Sequence, residues 1–330
     1  LNKKGQGSDA SRLLDYGVNY AADPTTQNPL AYTFLGLTGG FKGTFSNAPY
    51  YLKLEEYSAI ENRGLWEIDL KINEEQTQRL LEHLWALGHA RPSYYYLDLN
   101  CSYWMLAALE VARLDWNLTS NFSLWVMPTE TIKRIPASEI QEVRFRPSLR
   151  ESFEHSVESM SGSEKAAFQE AWTLAKRGVD VKKWNEPTLQ AIAAESTAAQ
   201  IRIWDTLLTG WRWKNAKNLQ AIPEGILERR ALLGQAGEAP VSGPLISPPK
   251  LPPPPTSSHG PLRLGIGAFV STREWGFEVR ARPALHDLNA SAMGYPTQIQ
   301  LQFLDTLIRF HPRDYVHFER LPFLEAAALN

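Results

Sequence analysis

The chain has 330 residues, 43% hydrophobic and 21% charged, a globular composition that excludes global disorder and leaves room for two or three units. Its 34 Lys and Arg against 36 Asp and Glu leave a net charge of −2, so nothing in its charge favours a nucleic acid backbone as partner. One cysteine excludes an internal disulfide framework and any metal cage built of thiolates, and leaves one thiol that is either buried structure or reactive.

Residues 13–20, rich in Tyr and Val, predict a strand. Gly36, Gly39, Gly40 and Gly43 predict a turn-rich stretch before Tyr50 and Tyr51. Leu65, Trp66, Ile68, Leu70 and Ile72 alternate in part, which fits a half-buried strand. Asn73 followed by Gln76 has the form of an N-cap with its reciprocal partner and predicts a helix over 74–87, closed by Gly88. Residues 94–97 predict a short strand, and 100–112 a second helix, apolar nearly all round and therefore buried. Residues 151–238 read as a helical region. One helix starts at Ser161 and ends at Gly178, another runs from Glu186 to Gly210, and a third follows Pro223. The nine prolines of 239–261 predict an extended linker.

Beyond the linker, 262–330 predict an antiparallel β segment. Leu264, Ile266, Ala268 and Val270 alternate with other residues; Trp275, Phe277, Val279 and Ala281 alternate with Gly276, Glu278, Arg280 and Arg282; Ile299, Leu301 and Phe303 alternate with glutamines. Such segments suit a membrane β-barrel or a half-exposed soluble sheet, and three or four strands are too few to close a barrel. No run approaches 18 apolar residues, so no transmembrane helix is expected. The chain starts at Leu1 rather than Met and stops at Asn330 after the apolar residues 326–329, so it reads as an interior piece of a longer protein, with the signal peptide outside it. Its 11 Trp and 12 Tyr suit grooves, interfaces and membrane boundaries.

Chemistry is confined to few places. Residues 39–44 have the glycine and lysine content of a phosphate loop but not its order, because Gly43 separates Lys42 from Thr44, so they read as a turn. His83 and His89 straddle the predicted helix stop, and no HExxH motif occurs, so neither a metal nor a cofactor is expected. His286-Asp287 is a candidate pair in a turn-like stretch. The sharpest feature is residues 94–104, where a strand leads into a helix carrying the thiol of Cys101 in its first turn, with Asn100 as N-cap. A helix N-terminus stabilises a thiolate and offers N–H groups to a developing oxyanion. A small buried Cys before an apolar helix is the competing reading, and no histidine announces itself as the base a thiol nucleophile needs.

Residues 36–46, then Pro49-Tyr50-Tyr51, Tyr57, 61–67 and Asn100-Cys101-Ser102-Tyr103, taken in order, resemble the Lnb N-terminal periplasmic domain family. The resemblance covers about residues 13–150. His259 to Arg263 and Arg282 to Leu288 resemble the C-terminal region that accompanies this domain in many proteobacterial members, a region similar to an outer-membrane-type β-barrel. The resemblance implies an α+β fold with a circularly permuted papain-like domain, akin to lecithin:retinol acyltransferase relatives, over 1–150. A helical region, a Pro-rich linker and the start of a barrel would follow. It implies a periplasmic or outer-membrane location and acyl transfer to lipoprotein N-termini, with a lipid or lipoprotein as partner. In the family the catalytic His lies in a Gly-His motif just upstream of the strand matching 13–20, so this fragment is expected to be inactive. Cys101 would be the nucleophile, Asn100 the cap, and Asp98 the candidate to orient the site. A non-enzymatic plug or binding module attached to an outer-membrane pore is the alternative.

Overall fold

In the computed structural model, strand β1 (Tyr16–Asp23) is preceded by a turn in which the Asp15 N–H donates to Arg12 O at 3.1 Å, so the strand starts later than predicted. The structure describes residues 12–120, 122, 125–217, 221–223, 225–235, 251–272, 274–282, 299–312, 315–322 and 324–328. The stretch predicted as turn-rich is a helix and a strand, α1 (Pro29–Thr38) and β2 (Phe41–Pro49). Asn28 Oδ1 accepts from the N–H groups of Leu30 (3.0 Å) and Ala31 (3.2 Å) and sets the helix start. Gly39, at φ 75°, stops it in the left-handed conformation that favours glycine. Gly36 and Gly43 serve close packing, described below.

A short helix α2 (Tyr50–Glu55) leads through a π-helical turn (Glu56–Ile60) to β3 (Leu65–Leu70). Helix α3 (Glu74–Leu87) is bounded as predicted. Asn73 Oδ1 accepts from the Gln76 N–H, and Gln76 Oε1 accepts from the Asn73 N–H, both at 2.9 Å. Strand β4 is only Ser93–Tyr94, paired antiparallel with Phe41 and Lys42 of β2 in a sheet of order β1-β2-β4. Residues 95–97, predicted as strand, leave the ladder because the Tyr96 N–H turns to Gly36 O (2.8 Å). Helix α4 (Cys101–Ala112) has no exposed residue and packs on two sides, Leu106 against Trp116 and Leu118 and Ala108 and Ala112 elsewhere, as its apolar sequence predicts. Ala108 and Ala112 pack with Leu80 of α3. Helix α5 (Pro128–Lys133) and strand β5 (Ile140–Arg146), which lies beside β3, complete this part.

The chain divides into two compact units. One holds Asn47–Asp69 and the helices beyond Glu142; the other holds Val18–Ser46, Leu70–Gln141 and the strands beyond Pro252. In the first, helices α6 (Leu149–Ser159), α7 (Gly162–Lys176), α8 (Glu186–Ala193), α9 (Thr197–Asn215) and α10 (Ile226–Gln235) surround a core that includes Phe168, Trp184, Trp204 and Leu207. The helix predicted from 186 to 210 is two, because Ser196 Oγ caps a new start by accepting from the Ala199 N–H (3.3 Å). Gly210 lies inside α9 rather than ending it; a Cβ there would stand 2.6 Å from the Phe153 ring.

In the second unit, Pro254 keeps a polyproline-like φ of −66° and ψ of 154°, while 239–250 lie outside the described residues. Strands β6 (Arg263–Val270), β7 (Trp275–Arg282), β9 (Thr306–His311) and β10 (Tyr315–Arg320) form an antiparallel sheet of order β10-β9-β7-β6. Strands β8 (Ile299–Phe303) and β11 (Leu324–Ala328) pair separately, and the described strands do not close into a barrel. The predicted alternation is present, with its apolar side outward. Leu264, Ile266 and Val270 of β6 share a face with Trp275 and Phe277 of β7 and Phe310 of β9, and Ile266 is 91% exposed. The opposite face carries ion pairs, Arg309 with Glu278 and Glu319 at 3.2 Å each, and a fully buried Asp305 bound by Arg280 and Arg320. No described helix is long and apolar enough to cross a membrane. His286-Asp287 lies outside the described residues.

Candidate functional site

The site is assembled from β1, β2, the segment after β4, and the N-terminus of α4. Asn100 is 5% exposed, and its side chain is saturated. Oδ1 accepts from the backbone N–H of Ser102 (3.1 Å) and of Tyr103 (3.2 Å), while Nδ2 donates to Tyr96 O (3.2 Å) and Val126 O (2.7 Å). One amide therefore caps the helix and ties two loops to it. Asp98 is exposed, and its backbone carbonyl accepts from the Asn100 N–H at 2.8 Å. Cys101 follows as the first residue of α4, half-buried.

Asn100 makes a sharp test of this local structure. Asn100→Asp keeps the acceptor, loses both donations and buries a carboxylate against two carbonyls. It should lower stability by roughly 3 kcal/mol or more, read as the urea midpoint, whereas a plain N-cap loss costs about 1 kcal/mol.

Tyr94, Tyr95 and Tyr96 fan into three places. Tyr96 packs on Gly36, where a Cβ would stand 2.2 Å from its ring; Tyr95 packs on Gly39 in the same way, at 2.2 Å. Tyr94 turns to Cys101, whose N–H donates to its hydroxyl at 3.4 Å. The Tyr94 ring stacks on Tyr20 of β1, centroids 5.8 Å apart and planes 21° from parallel, and Tyr20 lies 5.9 Å from the Trp104 ring. Tyr20 is 1% exposed, and its hydroxyl stands where a Cβ on Gly43 would be, 1.7 Å away. Glycine at 43 is what makes room for that hydroxyl. Neither the Tyr20 hydroxyl nor the Trp104 indole N–H has a hydrogen-bond partner among the described residues.

The electrostatics tie both phenols to the thiol. Burial first, and then the charge of Cys101, pushes the Tyr20 hydroxyl up to about 12. Burial, the Cys101 charge and a hydrogen bond with the Cys101 side chain push Tyr94 up as well. Both remain protonated donors at any physiological pH. The N-cap occupies the N–H groups of Ser102 and Tyr103, and the Tyr94 hydroxyl stands on the Cys101 N–H, which the sequence suggested as a free oxyanion donor. Among the described residues no cluster of three His, Cys, Asp or Glu could hold a metal ion. Of the expected residues, the fold brings Asn100 and Cys101 together and leaves the Asp98 side chain in solvent. Tyr20 and Trp104 carried no local signal of a role; the spacing of Gly36 and Gly43 from the later tyrosine run was the one available hint.

Two family models match the chain: the Lnb N-terminal periplasmic domain over residues 1–138, and a domain of unknown function (DUF7840) over 252–330. No curated protein and no solved structure matches it. The first match contains Tyr20, Tyr94 and the Asn100–Cys101 helix start, and the second contains all six strands from β6 to β11. Residues 1–138 are thus matched by the Lnb N-terminal periplasmic domain family, whose designation points to the cell envelope.

Proposed function

We propose that this protein is a cell-envelope thiol enzyme, an acyltransferase or an amidase-type hydrolase, in which Cys101 attacks an acyl carbonyl. The observation that carries this reading is the half-buried cysteine at the start of a 12-residue helix, whose backbone N–H donates to the Tyr94 hydroxyl. The sulfur forms a thioester with the acyl group as the leaving group departs, and water or an amine then takes the acyl group. The thiol proton goes to an imidazole base upstream of β1, as the family resemblance implies. Asn100 fixes the helix start, and Asp98 contributes its carbonyl to that turn. The family suggests a lipid donor and a lipoprotein N-terminus as acceptor.

The C-terminal sheet supports attachment to a membrane. A soluble half-exposed sheet buries its apolar side, whereas here Leu264, Ile266, Val270 and Phe277 face outward and the ion pairs face away from them. This arrangement suits an outer-membrane-type β structure with lipid on the apolar side. Recovery of the protein in the aqueous fraction after cell breakage would contradict the attachment.

The activity is tested by incubating the full-length protein with phospholipid and a diacylated lipopeptide, followed by intact-mass measurement. The expected product is one acyl chain on Cys101, released by neutral hydroxylamine. An unmodified mass, under conditions where a thiol reagent does label Cys101, would sink the acyl-transfer reading.

A further inference from the structure

We propose that the Tyr94 and Tyr20 hydroxyls form the carbonyl-oxygen site beside Cys101, receiving the oxyanion of the acyl group under attack. This rests on the thiol reading above and adds the groups that stabilise its transition state. Thiolate attack forms the S–C bond and moves the carbonyl π pair onto oxygen. Collapse of that oxyanion breaks the bond to the leaving group, which departs with a proton. The developing negative charge needs donors fixed in place, in a site shielded from water.

Three observations point to the phenols. First, the expected backbone donor is not free: the Cys101 N–H donates to the Tyr94 hydroxyl at 3.4 Å. That hydroxyl accepts from the helix start, so its own proton is available to an acceptor beside Cys101. A phenol polarised by a backbone N–H is a stronger donor than one in isolation. Second, Tyr20 is 1% exposed with no partner for its hydroxyl among the described residues, and that hydroxyl feels the Cys101 charge. An unpartnered buried hydroxyl is costly, and phenylalanine would fill the same space without the cost. Third, Gly43 leaves that hydroxyl its place, since any Cβ would stand 1.7 Å from it. The stacked rings of Tyr20 and Tyr94 hold the two groups together. A carbonyl oxygen entering beside Cys101 gives the Tyr20 hydroxyl the acceptor it lacks.

The test separates reactions that pass through an oxyanion from those that do not. The full chain and its Tyr94→Phe and Tyr20→Phe variants are treated near pH ~9, above the ordinary thiol value of about 8.5, so that no base is required. One reagent is 4-nitrophenyl acetate, which acylates through a tetrahedral oxyanion; the other is iodoacetamide, which alkylates by displacement at a saturated carbon. Circular dichroism confirms that each variant is folded. Tyr94→Phe should slow acylation of Cys101 about 10- to 100-fold and leave alkylation within about twofold, and Tyr20→Phe should slow acylation several-fold in the same selective way. Equal changes in both rates would reduce the phenols to controllers of access or ionisation, and unchanged rates would remove them altogether; either overturns the proposal. A folded chain that neither reagent modifies at Cys101 overturns the thiol reading itself.

Discussion

In the full-length protein Cys101→Ala should remove acyl transfer by at least about 10³-fold while leaving the fold intact, because the acyl intermediate forms on the Cys101 sulfur. Position 101 is the first residue of α4, and its N–H bond to Tyr94 is a backbone bond that alanine retains. Alanine is also the best helix former, so the thermal midpoint should move little. A structural cysteine predicts the opposite pattern: a loss of about 1 kcal/mol for a partly buried side chain, with activity kept. Cys101→Ser completes the comparison. The hydroxyl matches the thiol in placement and is a far weaker nucleophile at neutral pH, so it too should fall to background. The paired readouts are turnover with a lipid donor and the urea midpoint.

Asp305→Ala should be the most damaging single change in the C-terminal sheet. The carboxylate is fully buried, accepting from Arg280 Nε at 2.7 Å and facing Arg320 Nε at 3.2 Å. Removing it takes a buried carboxylate from two guanidinium groups; breaking a buried pair costs about 3–5 kcal/mol, and the partial exposure of both arginines puts the expectation at about 3 kcal/mol. The pH dependence has a definite sign. Burial alone would raise this carboxyl, but the Arg280 hydrogen bond and the charges of Arg280, Arg320 and Arg282 outweigh it and hold it below its ordinary value. A depressed folded value stabilises the sheet above the unfolded-state value of about 4, and that contribution disappears as pH falls through the folded value. Asp305→Asn should therefore unfold more easily near neutrality and show a flatter profile below pH ~4. A profile identical to the unsubstituted chain would remove Asp305 from the account of stability.

The sequence was most legible where the determinants are local. Asn73 and Gln76, and Asn100 before Cys101, announce helix starts because cap and capped N–H lie within three residues. In the stretch containing α1 the glycines do not all mark turns. Gly39 does end a helix, but Gly36 and Gly43 accommodate Tyr96 and Tyr20, and those approaches span tens of residues. For the same reason Tyr20 could not be assigned to the site: its stacking on Tyr94 joins residues 74 positions apart. In the C-terminal strands, alternation defined two faces but not which one meets solvent. That depends on how Arg280, Arg320 and Asp305 gather on one side, which no single strand contains.

The most direct test of the central claim, that the folded chain presents Cys101 as a reactive nucleophile, is its rate of labelling by iodoacetamide at neutral pH, with the site mapped by peptide mass spectrometry. The native chain should be labelled at Cys101 at least as fast as the urea-unfolded chain, since the side chain is only half-buried and stands at the start of α4. Labelling that begins only when the chain unfolds would mean that the thiol is sealed structure, and would contradict the account.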